Sequence, residues 1–171
     1  MAFTIDFTDP TTGHPRYNFD FAIGPATHGD DVQLLQVLLN MLYFDLADST
    51  RPRGFIPPRN KRLVEDGKVG DRTIELTVQC YERMIKIGEN LAPLDSVAGS
   101  QLDPMRQPGE RSHILQVVYF IDALNDNVSF ADSIAGLGRY PLLAFDPTVP
   151  DALRNALKTV KTTAGQYEFE E

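Results

Sequence analysis

Apolar residues recur at helical spacing in the stretch 29–40. Its leucines Leu34, Leu35, Leu38 and Leu39 form one wide stripe, which continues at Leu42. Such a stripe is typical of a helix with one face in the core. Asp30 precedes it as a candidate N-cap, and Gln33 stands where a capping box would place the reciprocal side chain. We therefore expect a helix that ends near Tyr43 or Phe44.

A turn signal and a second helical pattern follow a proline-rich loop at 45–65. Asp66-Gly67 favours a tight turn, and Asp71 is the expected N-cap of the next helix. Two apolar stripes run along this helix: Ile74, Val78, Tyr81 and Ile85 on one face, and Leu76, Cys80, Met84 and Ile87 on another. The two stripes predict a central helix, which Gly88 closes as a C-terminal cap.

Two more helices and a hairpin are predicted from the remaining pattern. The third helix opens at Glu110 or Ser112, with its inward residues at Ile114, Val117, Val118, Ile121 and Leu124. Residues 125–150 are predicted to have no regular secondary structure. The last helix starts near Pro150 or Asp151 and carries Leu153, Ala156, Leu157 and Val160. The tail 166–171 is either a short strand or frayed.

The N-terminal segment alternates between apolar and polar residues, as half-buried strands do. The alternating residues are Phe3, Ile5 and Phe7, and then Tyr17, Phe19, Phe21 and Ile23. The segment between them, 9–15, is rich in turn residues. These features predict a β-hairpin that packs on the domain behind it.

The two halves of the chain also match at one offset. Shifting the sequence by 80 positions, from 29 to 109, aligns 29–38 with 109–118 and 66–71 with 146–151. A diverged duplication would explain both matches. The alternative is that unrelated helices share the same helix-start chemistry.

Composition excludes several classes of partner. The net charge is −8 over 171 residues, whereas nucleic acids and anionic membranes select clusters of lysine and arginine. The most basic part of the chain is the loop from Arg51 to Arg62. No run is long enough for a transmembrane helix, and the N-terminus lacks the pattern of a signal peptide. We therefore expect synthesis in the cytoplasm, with any export by a non-classical route or by lysis.

Candidate catalytic residues are few. His14, His28 and His113 show no metal-binding spacing, and His14 and His28 lie near predicted turns. Cys80 is the only cysteine, and its place on an apolar helical face predicts a buried, inert thiol. No nucleophile-elbow or phosphate-binding motif occurs. The sequence predicts a protein that is not an enzyme and needs no metal or cofactor.

The segment 29–86 resembles the peptidoglycan-binding-like domain that is attached to many cell-wall hydrolases. The matching motifs are Asp31-Val32, Leu35-Gln36, Leu39-Asn40, Asp66-Gly67-Lys68-Val69-Gly70-Asp71-Arg72-Thr73, and Val78 with Tyr81-Glu82. The most specific of these is the Asp-Gly-x-Val-Gly-x-x-Thr segment. Two features depart from the family pattern: the loop at 45–65 is longer, and Tyr81-Glu82 stands in place of Phe-Gln.

The resemblance implies a mainly α fold, the helical bundle of this family. The alternation at the N-terminus adds a short β-hairpin, and a duplication would make two pseudo-repeated units. The expected organisation is a hairpin extension at 1–28, a peptidoglycan-binding-like unit at 29–90, a linker at 91–108 and a second helical unit at 109–171.

Structural and ligand-binding roles are expected for different residues of the motif. Those expected to build the loop are Asp31, Gln36, Asp66, Gly67, Gly70 and Thr73. Glycine permits unusual backbone angles, and Gln36 can brace the loop from the helix. Ligand contacts are expected from groups exposed around the loop, namely Asn40, Tyr43, Lys68, Arg72 and Tyr81. Aromatic rings suit sugar faces, and basic side chains suit the carboxylates of peptide stems.

Two functions remain open at this point. The first is a bacterial, non-catalytic peptidoglycan-binding module, by analogy an accessory of a secretion-system or phage-like cluster. The second is a protein–protein interaction adaptor that keeps the fold without binding glycan. The acidic charge, the absence of tryptophan and the Tyr81-Glu82 pair favour the adaptor. The oligomeric state is not specified by the sequence.

Overall fold

Helices and a small sheet make up the regular structure of the described residues. The computed structural model describes residues 1–47, 49–52, 54–57, 61–92, 102–105 and 118–162. The helices are α1 (Asp30–Asn40), α2 (Asp71–Lys86), α3 (Phe120–Ala135) and α4 (Asp151–Leu157). The strands are β1 (Phe3–Thr8), β2 (Pro15–Asn18) and β3 (Val160–Lys161). A π-helical turn, Met41–Asp45, extends α1, and a 3-10 turn, Tyr140–Leu142, precedes α4. None of the described helices is long and apolar enough to cross a membrane.

Helix α1 lies at the centre of the molecule and packs against α2, α3 and α4. Its predicted leucine stripe is confirmed: Leu34, Leu38 and Leu39 are fully buried. The polar residues Gln36 and Asn40 are buried as well. The burial of α1 therefore extends beyond one stripe, and its polar side chains need partners inside the protein.

Helix α2 lies beside α1, and the prediction that it is the central helix is wrong. One of its apolar stripes is buried over Leu76, Cys80 and Met84, which have no exposed surface. In the other stripe Tyr81 is buried, whereas Ile74 is 43% exposed and Val78 is 38% exposed. The helix closes as predicted at Gly88, which has a φ of 100°.

The two predicted N-caps are wrong. Gly29 caps α1 and Gly70 caps α2, and neither helix has a side-chain cap. Asp30 and Asp71 are instead the first helical residues, where a negative charge still stabilises the helix dipole. The expected capping box does not form, because Gln33 donates to the carbonyl oxygen of Glu65 at 3.1 Å.

Helix α3 runs later in the chain than the sequence predicted. It begins at Phe120, and it includes 125–135, which had been expected to be irregular. Its inward face carries a stripe of buried polar residues: Asp122, Asn125, Ser129 and Asp132. These residues have helical spacing, but a search for apolar periodicity cannot detect them. The predicted inward residues Ile114 and Val117 lie outside the described residues.

The predicted β-hairpin is confirmed, although β2 ends at Asn18 and does not reach Phe21 or Ile23. Strand β1 is the middle strand of the sheet, antiparallel to β2 and parallel to β3. The last strand contains Val160, which had been assigned to the final helix. The sheet therefore joins residues near the two ends of the described chain.

A buried hydrogen-bond network attaches the hairpin to α3. The Asn125 side-chain amide donates to the carbonyl oxygen of Tyr17 at 2.9 Å and accepts from the Tyr17 N–H at 3.1 Å. The Tyr17 hydroxyl donates to the carbonyl oxygen of Tyr140 at 2.8 Å, and the Tyr140 hydroxyl returns to Asn125. Asn125 thus gives the backbone N–H and carbonyl groups of Tyr17 in β2 the partners that a neighbouring strand would supply.

The proposed repeat is described only in part. Helices α2 and α4 begin at Asp71 and Asp151, which are related by the offset seen in the sequence. The segment 109–117, expected to correspond to α1, lies outside the described residues, as does the tail 166–171. Buried residues of the hairpin and of all four helices share one hydrophobic cluster. The duplication and the boundaries of the four predicted segments stay predictions.

Substitution of Phe3 should destabilise the protein far more than substitution of Phe7. Phe3 is fully buried, whereas Phe7 is 36% exposed at the end of the same strand. We expect Phe3→Ala to lower the free energy of unfolding by about 3–4 kcal/mol, and Phe7→Ala by less than about 1 kcal/mol. Urea unfolding of both variants measures the difference. Equal losses would contradict a role for the hairpin in the core.

Candidate functional site

The side-chain amide of Gln36 forms hydrogen bonds along the loop from Asp66 to Thr73, which carries the most specific motif. Its nitrogen donates to Asp66 Oδ1 at 3.2 Å, to the carbonyl oxygen of Lys68 at 3.0 Å and to Thr73 Oγ1 at 3.3 Å. Its oxygen accepts from the Gly67 N–H at 3.0 Å. One side chain of α1 therefore contacts the start, middle and end of the loop, and the predicted bracing role of Gln36 is confirmed.

Burial makes this bracing important for stability. Gln36 is 1% exposed and Thr73 is 4% exposed. A buried polar group that loses its partner costs about 1–3 kcal/mol, and removal of Gln36 would leave two such groups, the Thr73 hydroxyl and the Gly67 N–H. The loop is therefore held in one conformation by groups that water cannot easily replace.

Asn40 holds the segment before the turn in a similar way. Its amide nitrogen donates to the Leu63 carbonyl oxygen at 3.0 Å, and its oxygen accepts from the Leu63 N–H at 2.9 Å. This pair of bonds gives Leu63 the partners that a neighbouring strand would supply. The same nitrogen also donates to Glu65 Oε1 at 2.8 Å. Gln36 and Asn40, one turn apart on α1, therefore fix the chain from Leu63 to Thr73.

Gly67 is required by both its backbone angle and its surroundings. Its φ is 70°, and a Cβ atom built there would lie 2.7 Å from the carbonyl oxygen of Gly29. The Gly29 N–H donates to the Gly67 carbonyl oxygen at 2.8 Å. The loop thus packs directly against the start of α1, and no larger residue fits at this position.

Asp66 closes the turn by accepting from the Lys68 N–H at 3.0 Å. This hydrogen bond is the main reason why the pKa of Asp66 is lowered, and the contact with Gln36 adds to it. Folding therefore favours the ionised carboxylate. The role predicted for Asp66 within the loop is consistent with this geometry.

Three of the expected ligand contacts are not exposed, contrary to the prediction. Asn40 and Tyr43 have no exposed surface, and Tyr81 is 5% exposed. Asn40 is occupied by the loop, Tyr43 packs edge-on against Phe55, and the Tyr81 hydroxyl donates to the Ala92 carbonyl oxygen at 2.6 Å. All three side chains lie on inward faces, because α1 is surrounded and the Tyr81 side of α2 is covered.

Lys68 and Arg72 remain at the surface of the loop region. Lys68 is exposed in the turn. Arg72 is half-buried, forms an ion pair with Glu75 and donates to the carbonyl oxygen of Lys61 at 3.1 Å. Of the five expected ligand contacts, Lys68 therefore presents the most available charged group.

The remaining motif residues have structural positions. Gly70 caps α2, and Thr73 completes the contacts of Gln36. Asp31 lies in the first turn of α1, where it accepts from the Asp20 N–H at 3.1 Å and from the amine of Met1 at 3.3 Å. Burial raises the pKa of the Asp31 carboxyl. Asp31 therefore links α1 to the N-terminal segment and does not contact the loop.

An ion-pair network that the sequence did not reveal lies beside the basic loop. Asp45, at the end of the π-helical turn, pairs with both Arg62 and Arg139. Arg139 also pairs with Asp146 through a 2.7 Å contact and donates to Thr148 Oγ1 at 2.9 Å. The network joins segments that are distant in sequence, so no local motif could indicate it.

Two groups with catalytic potential, Ser129 and Cys80, are buried, whereas His28 is exposed. His14 is half-buried, and its Nδ1 lies 2.7 Å from Ser129 Oγ. Ser129 is only 3% exposed, so a substrate cannot reach that oxygen. Cys80 is buried as predicted, and burial raises the pKa of its thiol. Within the described residues no cluster of His, Cys, Asp or Glu could hold a metal ion. His113 lies outside them.

Comparison with known proteins assigns no family to this chain. No family model, no curated protein and no solved structure matches it. The resemblance to the peptidoglycan-binding-like domain therefore depends on the motif residues and stays a prediction. A function has to be inferred from the geometry of the loop and of the surface around it.

A matched pair of glycine substitutions tests the close contact in the loop. Gly67 and Gly13 share a φ of 70°, but a Cβ atom at Gly13 would meet nothing within 4 Å. Both alanine variants incur the cost of the left-handed conformation, about 1 kcal/mol. We expect Gly67→Ala to lose at least about 2 kcal/mol more in urea unfolding, because the Gly29 carbonyl must move. Equal losses would show that the contact is unimportant.

Acid should lower the folding stability of the protein, in part because the Asp66 carboxylate becomes protonated. Its folded-state pKa lies below the ordinary value of 3.8. Its stabilising contribution is therefore present above the unfolded-state pKa and is lost as the pH falls through the folded-state pKa. We expect Asp66→Asn to reduce the drop in urea midpoint between pH 7 and pH 3, with the exposed Glu82→Gln as control. Identical drops in both variants would contradict this assignment.

Proposed function

We propose that this chain is a non-catalytic binding module with a peptidoglycan-binding-like unit at 29–90. The observation that carries the proposal is the contact of Gln36 with the whole loop from Asp66 to Thr73. The two parts of the sequence that carry the resemblance, one in α1 and one in the loop, are joined through this amide. This contact supports the proposal, because it makes one structural unit of the two motif parts.

The ligand proposed for this unit is the peptide stem of bacterial peptidoglycan. Lys68 is exposed in a turn whose backbone is fixed by Gln36 and Asp66. Among the described residues its ammonium group forms no ion pair within 4 Å. A rigid turn reduces the entropy lost on binding, and an ammonium group attracts the carboxylates of peptide stems. Stacking of a sugar ring on Tyr43 or Tyr81 does not contribute to the proposed binding, since both side chains are buried.

We propose that the chain does not act as a catalyst, because its candidate nucleophiles Cys80 and Ser129 are buried. Cys80 is buried with a raised pKa, so little thiolate forms at neutral pH. Ser129 is paired with His14 but is closed to substrate. The motif loop contributes hydrogen bonds that hold its own backbone. The role proposed for the chain is therefore recognition, as an accessory of a bacterial secretion-system or phage-like cluster.

Protein–protein interaction is the second candidate function. It is favoured by the burial of Asn40, Tyr43 and Tyr81, which leaves fewer side chains for a glycan. It is also favoured by large apolar side chains that remain on the surface of α3, Phe130 at 60% exposure and Ile134 at 57%. Apolar exposure of this kind is frequent where a protein meets a partner.

Binding to purified peptidoglycan sacculi tests the first function. We expect the unmodified chain to co-sediment with sacculi above a non-binding control protein. Lys68→Glu should weaken this binding by on the order of fivefold, as expected for loss of one exposed ion pair and its replacement by a repulsive charge. The matched control is Lys158→Glu, at an exposed lysine following α4. No enrichment of the unmodified chain would exclude wall binding, and equal loss in both variants would exclude a specific role for Lys68.

A further inference from the structure

An open cleft lies between the β1–β2 turn and α3, on a part of the protein that the sequence did not single out. Its volume is about 370 Å³, and its lining includes Asp9, Glu89, Asp126 and Phe130. The β1–β2 turn supplies Asp9, the residue after the α2 cap glycine supplies Glu89, and α3 supplies the other two. The cleft therefore combines carboxylates from three segments with one large apolar side chain.

The cleft keeps a negative charge after its internal ion pair is counted. Arg16 is 7% exposed and pairs with both Asp9 and Asp126. Three carboxylates and this one guanidinium group leave a net charge of −2. Glu89 accepts from the Asn127 side-chain amide at 3.1 Å, a neutral partner that does not cancel its charge.

These carboxylates are held as anions or are open to solvent. Burial alone would raise the pKa of Asp9, but hydrogen bonds from the N–H groups of Thr12 and Thr11, together with Arg16, lower it overall. The Asp126 side chain is 55% exposed, so a cation arriving from solvent can reach it. The cleft therefore offers fixed negative charge to a positively charged group.

The same face of α3 continues as an apolar surface. Asp126, Phe130 and Ile134 are spaced by four residues and so lie one above another along the helix. Phe130 is 60% exposed and Ile134 is 57% exposed. Charge thus gives way to apolar area over two helical turns, and a complementary ligand must carry both features in the same order.

We propose that the cleft and the adjoining face of α3 bind a basic, amphipathic segment of a partner protein. A lysine or arginine of that segment occupies the cleft beside Asp126 and Glu89. Apolar side chains one turn further along pack on Phe130 and Ile134. This proposal rests on the second function given above, protein binding, and is independent of wall binding.

Charge and shape favour this occupant over others. An acidic segment or a nucleic acid would be repelled by the carboxylates. A small polyamine would satisfy the charge but leave Phe130 and Ile134 in water. A second copy of this chain carries a net charge of −8, so long-range repulsion opposes self-association. A basic segment with apolar residues at helical spacing satisfies both parts of the surface.

Fluorescence anisotropy with designed peptides tests the proposal. The probe is a labelled helical peptide of lysine and leucine that places both on one face four residues apart. A scrambled peptide of equal composition and a glutamate–leucine peptide serve as controls. We expect preferential binding of the probe, with an affinity that falls as salt is raised. Equal binding of the scrambled or the acidic peptide would overturn the proposal.

Matched substitutions test whether the probe peptide binds at the cleft and the adjoining face of α3. Phe130→Ala should weaken binding by on the order of tenfold, and Asp126→Asn by about two- to fivefold. The controls are Phe145→Ala and Asp151→Asn, at exposed positions that do not line the cleft. Thermal melting should show intact folds, because all four side chains are exposed and Asp126→Asn leaves the buried Arg16 its ion pair with Asp9. Equal effects of the cleft and control variants would overturn the site.

Other outcomes distinguish the proposal for the cleft from the two proposed functions, wall binding and protein binding. Spermine binding as tight as the probe would reduce the cleft to a small-cation site and overturn the proposal. A dimer in sedimentation that Phe130→Ala dissociates would assign the surface to a second copy and also overturn it. A partner captured equally by the chain and its cleft variants would leave protein binding intact while rejecting the cleft. Binding to sacculi without binding to any basic peptide would reject the cleft and leave wall binding standing.

Discussion

A helix that is buried on several sides must find a partner for every polar side chain it carries, and this requirement shapes the protein around α1. Gln36 and Asn40 are buried one turn apart on that helix. Their amides are satisfied by the backbone and side chains of the chain from Leu63 to Thr73. Leaving them unpaired would cost about 1–3 kcal/mol each. The loop is thus held by the core, and its exposed residue Lys68 is presented on a fixed frame.

Helix α3 follows the same rule with different partners. Its inward polar residue Asn125 pairs with the backbone of Tyr17 and with the Tyr140 hydroxyl, and so docks the hairpin on the helices. Its outward face is left with Phe130 and a negatively charged cleft. The two surfaces with binding potential therefore differ in chemistry. The motif loop presents a cation, whereas the α3 face presents carboxylates and apolar area.

The candidate site was predictable where local chemistry decided it. The bracing by Gln36 and the need for glycine at position 67 follow from a turn that must pack against a helix, and both were expected. The exposure of Asn40, Tyr43 and Tyr81 was predicted incorrectly, because a single sequence does not show which face of a helix its neighbours cover. The α3 cleft was not predicted, since its carboxylates come from three distant segments.

The sequence by itself determined the hairpin, the leucine stripe of α1, the turn at Asp66-Gly67 and the start and end of α2 to within a residue. These features depend on spacing, backbone angles and capping, which act over a few residues. Only the tertiary structure decided that α1 and not α2 is central, that β3 pairs with β1, and that α3 begins at Phe120. In α3 the core contacts are polar as well as apolar. Polar residues are stable inside a protein only when a distant segment supplies their partners, and that pairing exists only in the folded chain.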